Sequence, residues 1–139
     1  MNATFRTFWR AAGVCVCAMA PWVAQAQVPT DVLPIRNNGV AQYMCGGIGS
    51  DESQAMRAVM KDFPLSLLFA RASGAYLADV GVTVRDAGGA TALSMRASGP
   101  VCLVDLPAGR YTVEAESEGV TKTQVVTLGN GSKTADFRF

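Results

Sequence analysis

The fold of this chain is decided by one stretch in its second half. It reads Val101-Cys102-Leu103-Val104-Asp105-Leu106-Pro107-Ala108-Gly109-Arg110-Tyr111-Thr112-Val113-Glu114-Ala115. From Tyr111 onward apolar and polar residues alternate, which is typical of a strand with one buried face. Before it, Leu106 closes an apolar run, Pro107 fixes φ at a corner, and Gly109 permits a positive φ. The stretch predicts two neighbouring strands joined by a tight corner.

The same two-residue period continues on both sides of this corner, with turn-forming residues at short and regular intervals. No alternation of strands and helices of the parallel α/β kind is present. The pattern predicts a mainly β protein, a seven-stranded antiparallel β-sandwich, preceded by one short helix. The predicted strands lie near residues 64–71, 79–86, 91–96, 101–106, 110–117, 120–128 and 133–139.

The phase of these strands predicts which side chains share the core. We expect the inward positions to include Leu103, Leu106, Tyr111, Val113 and Phe137. If Leu103 points inward, its neighbour Cys102 points to the outer face of the sheet.

The only helix that the sequence predicts covers residues 50–63. Ser50 or Asp51 can cap it, and Pro64 ends it. Met56, Val59 and Met60 form one apolar stripe. Such a stripe most often covers a sheet, and the alternative is a face that binds a partner.

The first 26 residues have the pattern of a secretory signal peptide. Arg6 and Arg10 precede a short apolar run, and Ala24-Gln25-Ala26 predicts cleavage before Gln27. The run is too short to span a membrane, and no second one follows. We therefore expect a periplasmic or secreted protein without an integral membrane segment. Residues 27–49 are expected to form an extended arm and a glycine-rich turn, and residues 41–45, at the end of the arm, have the length and aromatic content of a short strand that could pair with the sheet.

Cys45 and Cys102 are the two cysteines that would remain after export. An even pair in an oxidising compartment is a candidate disulfide. The alternative is that Cys102 is a packed hydrophobe and Cys45 a free thiol.

The composition excludes several function classes. The chain has 139 residues, a formal net charge of +1 and no histidine. It therefore lacks the basic surplus typical of nucleic-acid binding, the histidine of common zinc sites, and imidazole for acid/base catalysis. We expect no catalytic residues, no metal site and no cofactor.

Glu114, Glu116 and Glu118 recur at every second residue and could in principle bind calcium. A solvated face with cross-strand ion pairs is the commoner use of such a stripe.

The quoted stretch resembles the hallmark "apolar-x-apolar-x-x-Leu-Pro-x-Gly-x-Tyr-x-Val" of carboxypeptidase regulatory-like, or transthyretin-like, domains. Leu106, Pro107, Gly109, Tyr111 and Val113 carry the match, and the resemblance covers residues 64–139. It implies a transthyretin-like sandwich that is not itself catalytic. Hydroxyisourate hydrolases share that sandwich, but they depend on histidines and a C-terminal Tyr-Arg-Gly-Ser tail. This chain has neither and ends Phe137-Arg138-Phe139.

Three functions remain open. The first is an exported, non-enzymatic module that binds or scaffolds a protein or envelope component. The second is an accessory subunit that stabilises a larger envelope protein, and the third is an atypical hydrolase. An interface could use Tyr43, Met56, Met60 and Tyr76, because aromatic and methionine side chains are common anchors. The sequence does not predict the oligomeric state.

Overall fold

A computed structural model describes residues 36–38 and 41–139 of this chain, with side chains from residue 41 onward. The described part is mainly β, with one short α-helix and a 3₁₀ turn that follows it directly. Its elements are β1 (Arg36–Asn38), β2 (Ala41–Gly46), α1 (Ser50–Val59), the 3₁₀ turn Met60–Asp62, β3 (Leu65–Ala70), β4 (Val80–Arg85), β5 (Thr91–Ala97), β6 (Val101–Asp105), β7 (Gly109–Ser117), β8 (Val120–Leu128) and β9 (Lys133–Arg138).

The strands form two sheets. One has the order β1-β2-β6-β3-β9 and the other has the order β5-β4-β7-β8. The seven predicted strands correspond to β3 to β9. Two more strands, β1 and β2, extend the first sheet, so the number seven is wrong, but β2 confirms the short strand predicted at residues 41–45. The expectation of purely antiparallel pairing is also wrong, since β3 and β9 run parallel.

The main hydrophobic cluster takes its side chains from both sheets. It includes Leu106, Tyr111, Val113 and Phe137, which confirms four of the five predicted core residues. The Phe137 ring stacks on Phe69 of the neighbouring strand, with 5.8 Å between ring centroids. The alternation along β7 and β9 therefore assigned the buried face correctly.

The predicted phase of β6 is wrong by one residue. Cys102 and Val104 point into the main cluster. Leu103 instead lies on the opposite face of the sheet, where it packs with Val101 and Met56 in a second cluster beneath α1. Both faces of β6 are buried, so its apolar residues do not alternate with polar ones.

The helix begins differently from the prediction. Gly49, and not Ser50 or Asp51, is the N-cap residue, and no side chain caps the helix there. The carboxylate of Glu52 accepts a 3.1 Å hydrogen bond from the backbone N–H of Ile48, just before the cap. At the other end Phe63 is extended, as the following Pro64 requires.

The predicted signal peptide, residues 1–26, lies outside the described residues, as do residues 27–35 and 39–40 of the predicted arm. Within the part of the chain that the structure describes, no helix is both long enough and apolar enough to cross a membrane.

Candidate interaction surface

A shallow groove of about 400 Å³ lies beside the first turns of α1. We call it the helix groove. Its walls come from the glycine-rich turn before the helix, from one face of α1, and from the β3–β4 connection. The lining residues are Gly47, Ile48, Gly49, Ser50, Ser53, Gln54, Arg57 and Tyr76.

Two large apolar side chains are exposed at this groove. Ile48 is 72% exposed and Tyr76 is 57% exposed. In the same groove, the guanidinium of Arg57 donates a 2.7 Å hydrogen bond from Nη2 to the hydroxyl of Tyr76. The groove thus combines an aliphatic side chain, an aromatic ring and one positive charge, which are features of protein-binding sites.

The backbone around the groove holds Ile48 outward. Gly47 has a φ of +91°, which a side chain would disfavour, and it turns the chain away from β2. The bond from the Ile48 N–H to Glu52 then fixes this turn against the helix. On the other wall, an isolated antiparallel bridge between Ala70 and Tyr76 ties the loop to the end of β3.

The structure distributes the four predicted interface residues over different environments. Tyr76 lines the helix groove. Tyr43 is half-buried against the main cluster, and Met60 is half-buried against the second one. Met56 is only 1% exposed, so it packs α1 onto the sheet and is not on the surface.

Ile48 and Arg57 also line the groove, although their surface position was not predicted from the sequence. Ile48 is a single large apolar residue among glycines, so it has no place in a strand or helix pattern. Arg57 adjoins the apolar stripe of α1 but is exposed. These two positions become related only when the glycine-rich turn folds back against the helix.

The corner predicted between β6 and β7 has a structural role. The hydroxyl of Tyr111 donates a 2.8 Å hydrogen bond to the carbonyl oxygen of Pro107. Burial raises the pKa of the Tyr111 phenol, and the nearby negative charge of Asp86 raises it further. Gly109 does not use the positive φ that a glycine permits. Instead, its missing side chain faces the ring of Tyr111, where an added Cβ would lie 3.5 Å away.

Cys45 and Cys102 form a disulfide. They stand opposite each other on the antiparallel strands β2 and β6, with 4.1 Å between their Cα atoms. The bond lies on the inner face of the sheet and not on the outer face, because the phase of β6 differs from the prediction. Cys45 Sγ is also 3.7 Å from the thioether sulfur of Met95, so the bond is packed among core side chains.

Arginines neutralise two of the three carboxylates in the predicted stripe. Glu114 pairs with Arg85 at 3.4 Å, and Glu118 accepts two hydrogen bonds from Arg71, at 2.8 and 3.1 Å. The hydrogen bonds and charge of Arg71 hold the pKa of the Glu118 carboxyl below its ordinary value. Among the described residues, no group of three potential metal ligands comes together.

No protein-family model matches this chain, and no curated protein matches it either. The resemblance to carboxypeptidase regulatory-like domains therefore rests on the corner motif and the strand pattern alone.

Proposed function

We propose that this chain is an exported, non-enzymatic β-sandwich of the carboxypeptidase regulatory-like type that binds a protein through its helix groove. The observation that carries the proposal is that the exposed side chains of Ile48 and Tyr76 line the same groove as Arg57, which is bonded to Tyr76. Exposed side chains of this kind are typical anchors of interfaces. The partner we propose is a protein of the cell envelope.

Two further features support export and the assigned domain type. The N-terminal residues have the charge, apolar run and small residues of a cleavable signal. The disulfide fits an oxidising compartment. Two sheets that share one core fit a sandwich, and the Tyr111 corner fits the resemblance to regulatory-like domains.

The second candidate is an accessory subunit that stabilises a larger envelope protein. The same groove would serve that role, because a stabilising subunit also needs an exposed anchor surface. An atypical hydrolase is the least supported function, because the chain has no histidine to act as the base of a nucleophile pair.

Site-directed photo-crosslinking tests the binding function. A photoreactive phenylalanine analogue replaces Ile48 in the exported protein, and the same analogue at Thr91, which is exposed at the start of β5, is the control. We expect a discrete adduct from position 48 that disappears when Tyr76→Ala is added. No adduct, or an adduct that is equally strong from position 91, contradicts binding at the groove.

Mass spectrometry of the exported protein tests its location separately. We expect a mature N-terminus at Gln27 in a periplasmic or culture fraction. A protein that keeps its first 26 residues and stays in the cytoplasm would contradict export.

A further inference from the structure

The long strand β8 is an edge strand. It pairs with β7 over all nine of its residues, from Val120 opposite Ser117 to Leu128 opposite Gly109. Within residues 36–38 and 41–139, no strand pairs with its other side. Every second backbone amide and carbonyl of an edge strand points away from its neighbour and can pair with another chain.

The composition of β8 favours pairing with another strand. Six of its nine residues are β-branched, and it contains no proline, no glycine and no acidic residue. Strands of this kind are the ones that add most readily to other strands. Val120 is 48% exposed and Val125 is 53% exposed, so two of the large exposed apolar side chains of the described chain lie on this edge.

The sequence of β8 is compatible with antiparallel pairing to itself. A twofold axis at Gln124 would pair all nine residues, with Val125 opposite Thr123 of the second copy and Val120 opposite Leu128. Lys122, the only charged residue of β8, would then face Val126. By contrast, an axis at Lys122 would place two positive charges directly opposite each other, which is unfavourable.

These features of β8 favour a second copy of the same strand as its partner. We propose that two copies of the chain associate through β8, pairing antiparallel about a twofold axis at Gln124. A closed twofold contact is the commonest arrangement of identical subunits, and it joins two four-stranded sheets into one sheet of eight strands.

The association is weak and reversible. A single strand pair involves far fewer than the roughly 20–30 residues per partner of a standard stable interface. Lys122 points to the inner side of the edge, opposite Ala115, and a charge placed there opposes tight pairing. We therefore expect a dissociation constant between about 10 µM and about 1 mM.

Sedimentation velocity of the purified exported protein tests this proposal. The wild type should shift from monomer to dimer across the concentration range given above. Val125→Lys and Val125→Glu should each weaken dimerisation by about tenfold or more, because two copies place like charges on neighbouring positions across the axis. Val125 faces Thr112 on β7, and Arg110 and Glu114 lie diagonally to either side on the same face, so each variant meets one like and one opposite charge within its own sheet.

An equimolar mixture of the two variants supplies the rescue. Opposite charges across the axis should restore dimerisation, now as a heterodimer. Thr91→Lys, which adds a charge at β5 on the other edge of the same sheet, should dimerise as the wild type does. Thermal unfolding of each variant confirms that it is folded.

Three results would overturn the proposal. If the wild type remains monomeric at every concentration, the proposed self-association is wrong, and any strand that pairs with β8 comes from a different protein. Dimers that persist in both charged variants would place the contact elsewhere. A mixture that stays monomeric would exclude the antiparallel twofold pairing.

Discussion

Tyr111 reaches back across the corner between β6 and β7 and bonds to the carbonyl oxygen of Pro107, four residues earlier. The ring is buried in the main cluster, while the hydroxyl closes the turn that joins the two sheets. One side chain therefore connects the corner to the core. This contact explains why a tyrosine, and not a phenylalanine, follows the Leu-Pro-x-Gly sequence in this chain.

Tyr111→Phe tests the hydrogen bond without emptying the core. We expect it to lower the free energy of unfolding by about 0.5–1.5 kcal/mol, because it removes one hydrogen bond and keeps the ring. Urea unfolding followed by circular dichroism measures the change. Tyr43→Phe is the control, since Tyr43 is a strand tyrosine of the other sheet that packs against the same cluster and is only half-buried. If the two substitutions lower the free energy of unfolding equally, the hydrogen bond at the corner does not stabilise the fold in particular.

The two faces of β6 predict different consequences for two core truncations. Leu103→Ala should cost about 2–5 kcal/mol and should speed hydrogen exchange in α1, because Leu103 packs in the cluster beneath the helix. Phe137→Ala should cost about 3–5 kcal/mol without a selective effect on α1, because it opens the cluster between the sheets. Hydrogen exchange with mass spectrometry distinguishes these outcomes. Leu103→Ala with an unchanged α1 would contradict the assigned face.

The error in the phase of β6 shows where sequence periodicity stops being informative. On β7, polar residues mark the outer face, so Tyr111 and Val113 are assigned correctly from the pattern. On β6, Val101 to Val104 are all buried, since the helix covers the outer face. An unbroken apolar run gives no phase, and only the position of α1 resolves it.

Two further features could not be predicted from the sequence: the parallel pairing of β3 with β9, and the helix groove. Each forms only because segments that are distant along the chain become neighbours in the fold. Leu65 and Lys133, which begin the parallel pair, are far apart along the chain. In the groove, Ile48, Arg57 and Tyr76 come from a turn, a helix and a loop. Local patterns predict elements well, but they do not contain such long-range pairings.

A close approach of two backbones predicts a strong effect at Gly99. A Cβ added there would collide with the backbone of Gly46 at the end of β2. Gly99→Ala should therefore lower the unfolding midpoint clearly, because neither backbone can move without disturbing the sheet. Gly81→Ala is the control, since its nearest contact would be 3.8 Å from a backbone oxygen of Glu116. A smaller effect at Gly99 than at Gly81 would contradict this packing.

The ion pair between Arg71 and Glu118 predicts a pH dependence. Hydrogen bonds from Arg71 lower the pKa of Glu118 in the folded protein. Its contribution to stability is therefore present above the unfolded-state pKa and is lost as the pH falls through the folded one. Carbon-detected NMR titration should find a Glu118 pKa below the ordinary value, and Arg71→Gln should raise it. An unchanged Glu118 titration in this variant would exclude the pair in solution.

The disulfide between Cys45 and Cys102 is expected to contribute substantially to the free energy of unfolding. It closes a loop with a sequence separation of 57 residues. Restricting the unfolded chain in this way stabilises the fold by up to about 4 kcal/mol. The double variant Cys45→Ala, Cys102→Ala should lose this contribution and a further amount for the smaller buried side chains. Alanine is preferred to serine, because Cys102 is fully buried and a hydroxyl there would be costly.

Urea unfolding with and without a reductant separates the covalent effect from the packing effect. Reduction should lower the unfolding midpoint of the wild type but should leave the double variant unchanged. Thiol titration of the unfolded, non-reduced protein should find no free thiol from Cys45 or Cys102. Because the bond joins β2 to β6, its reduction should also increase hydrogen exchange in β2 before it affects β7. Two reactive thiols in the freshly exported protein, or a wild type indifferent to reductant, would refute the bridge.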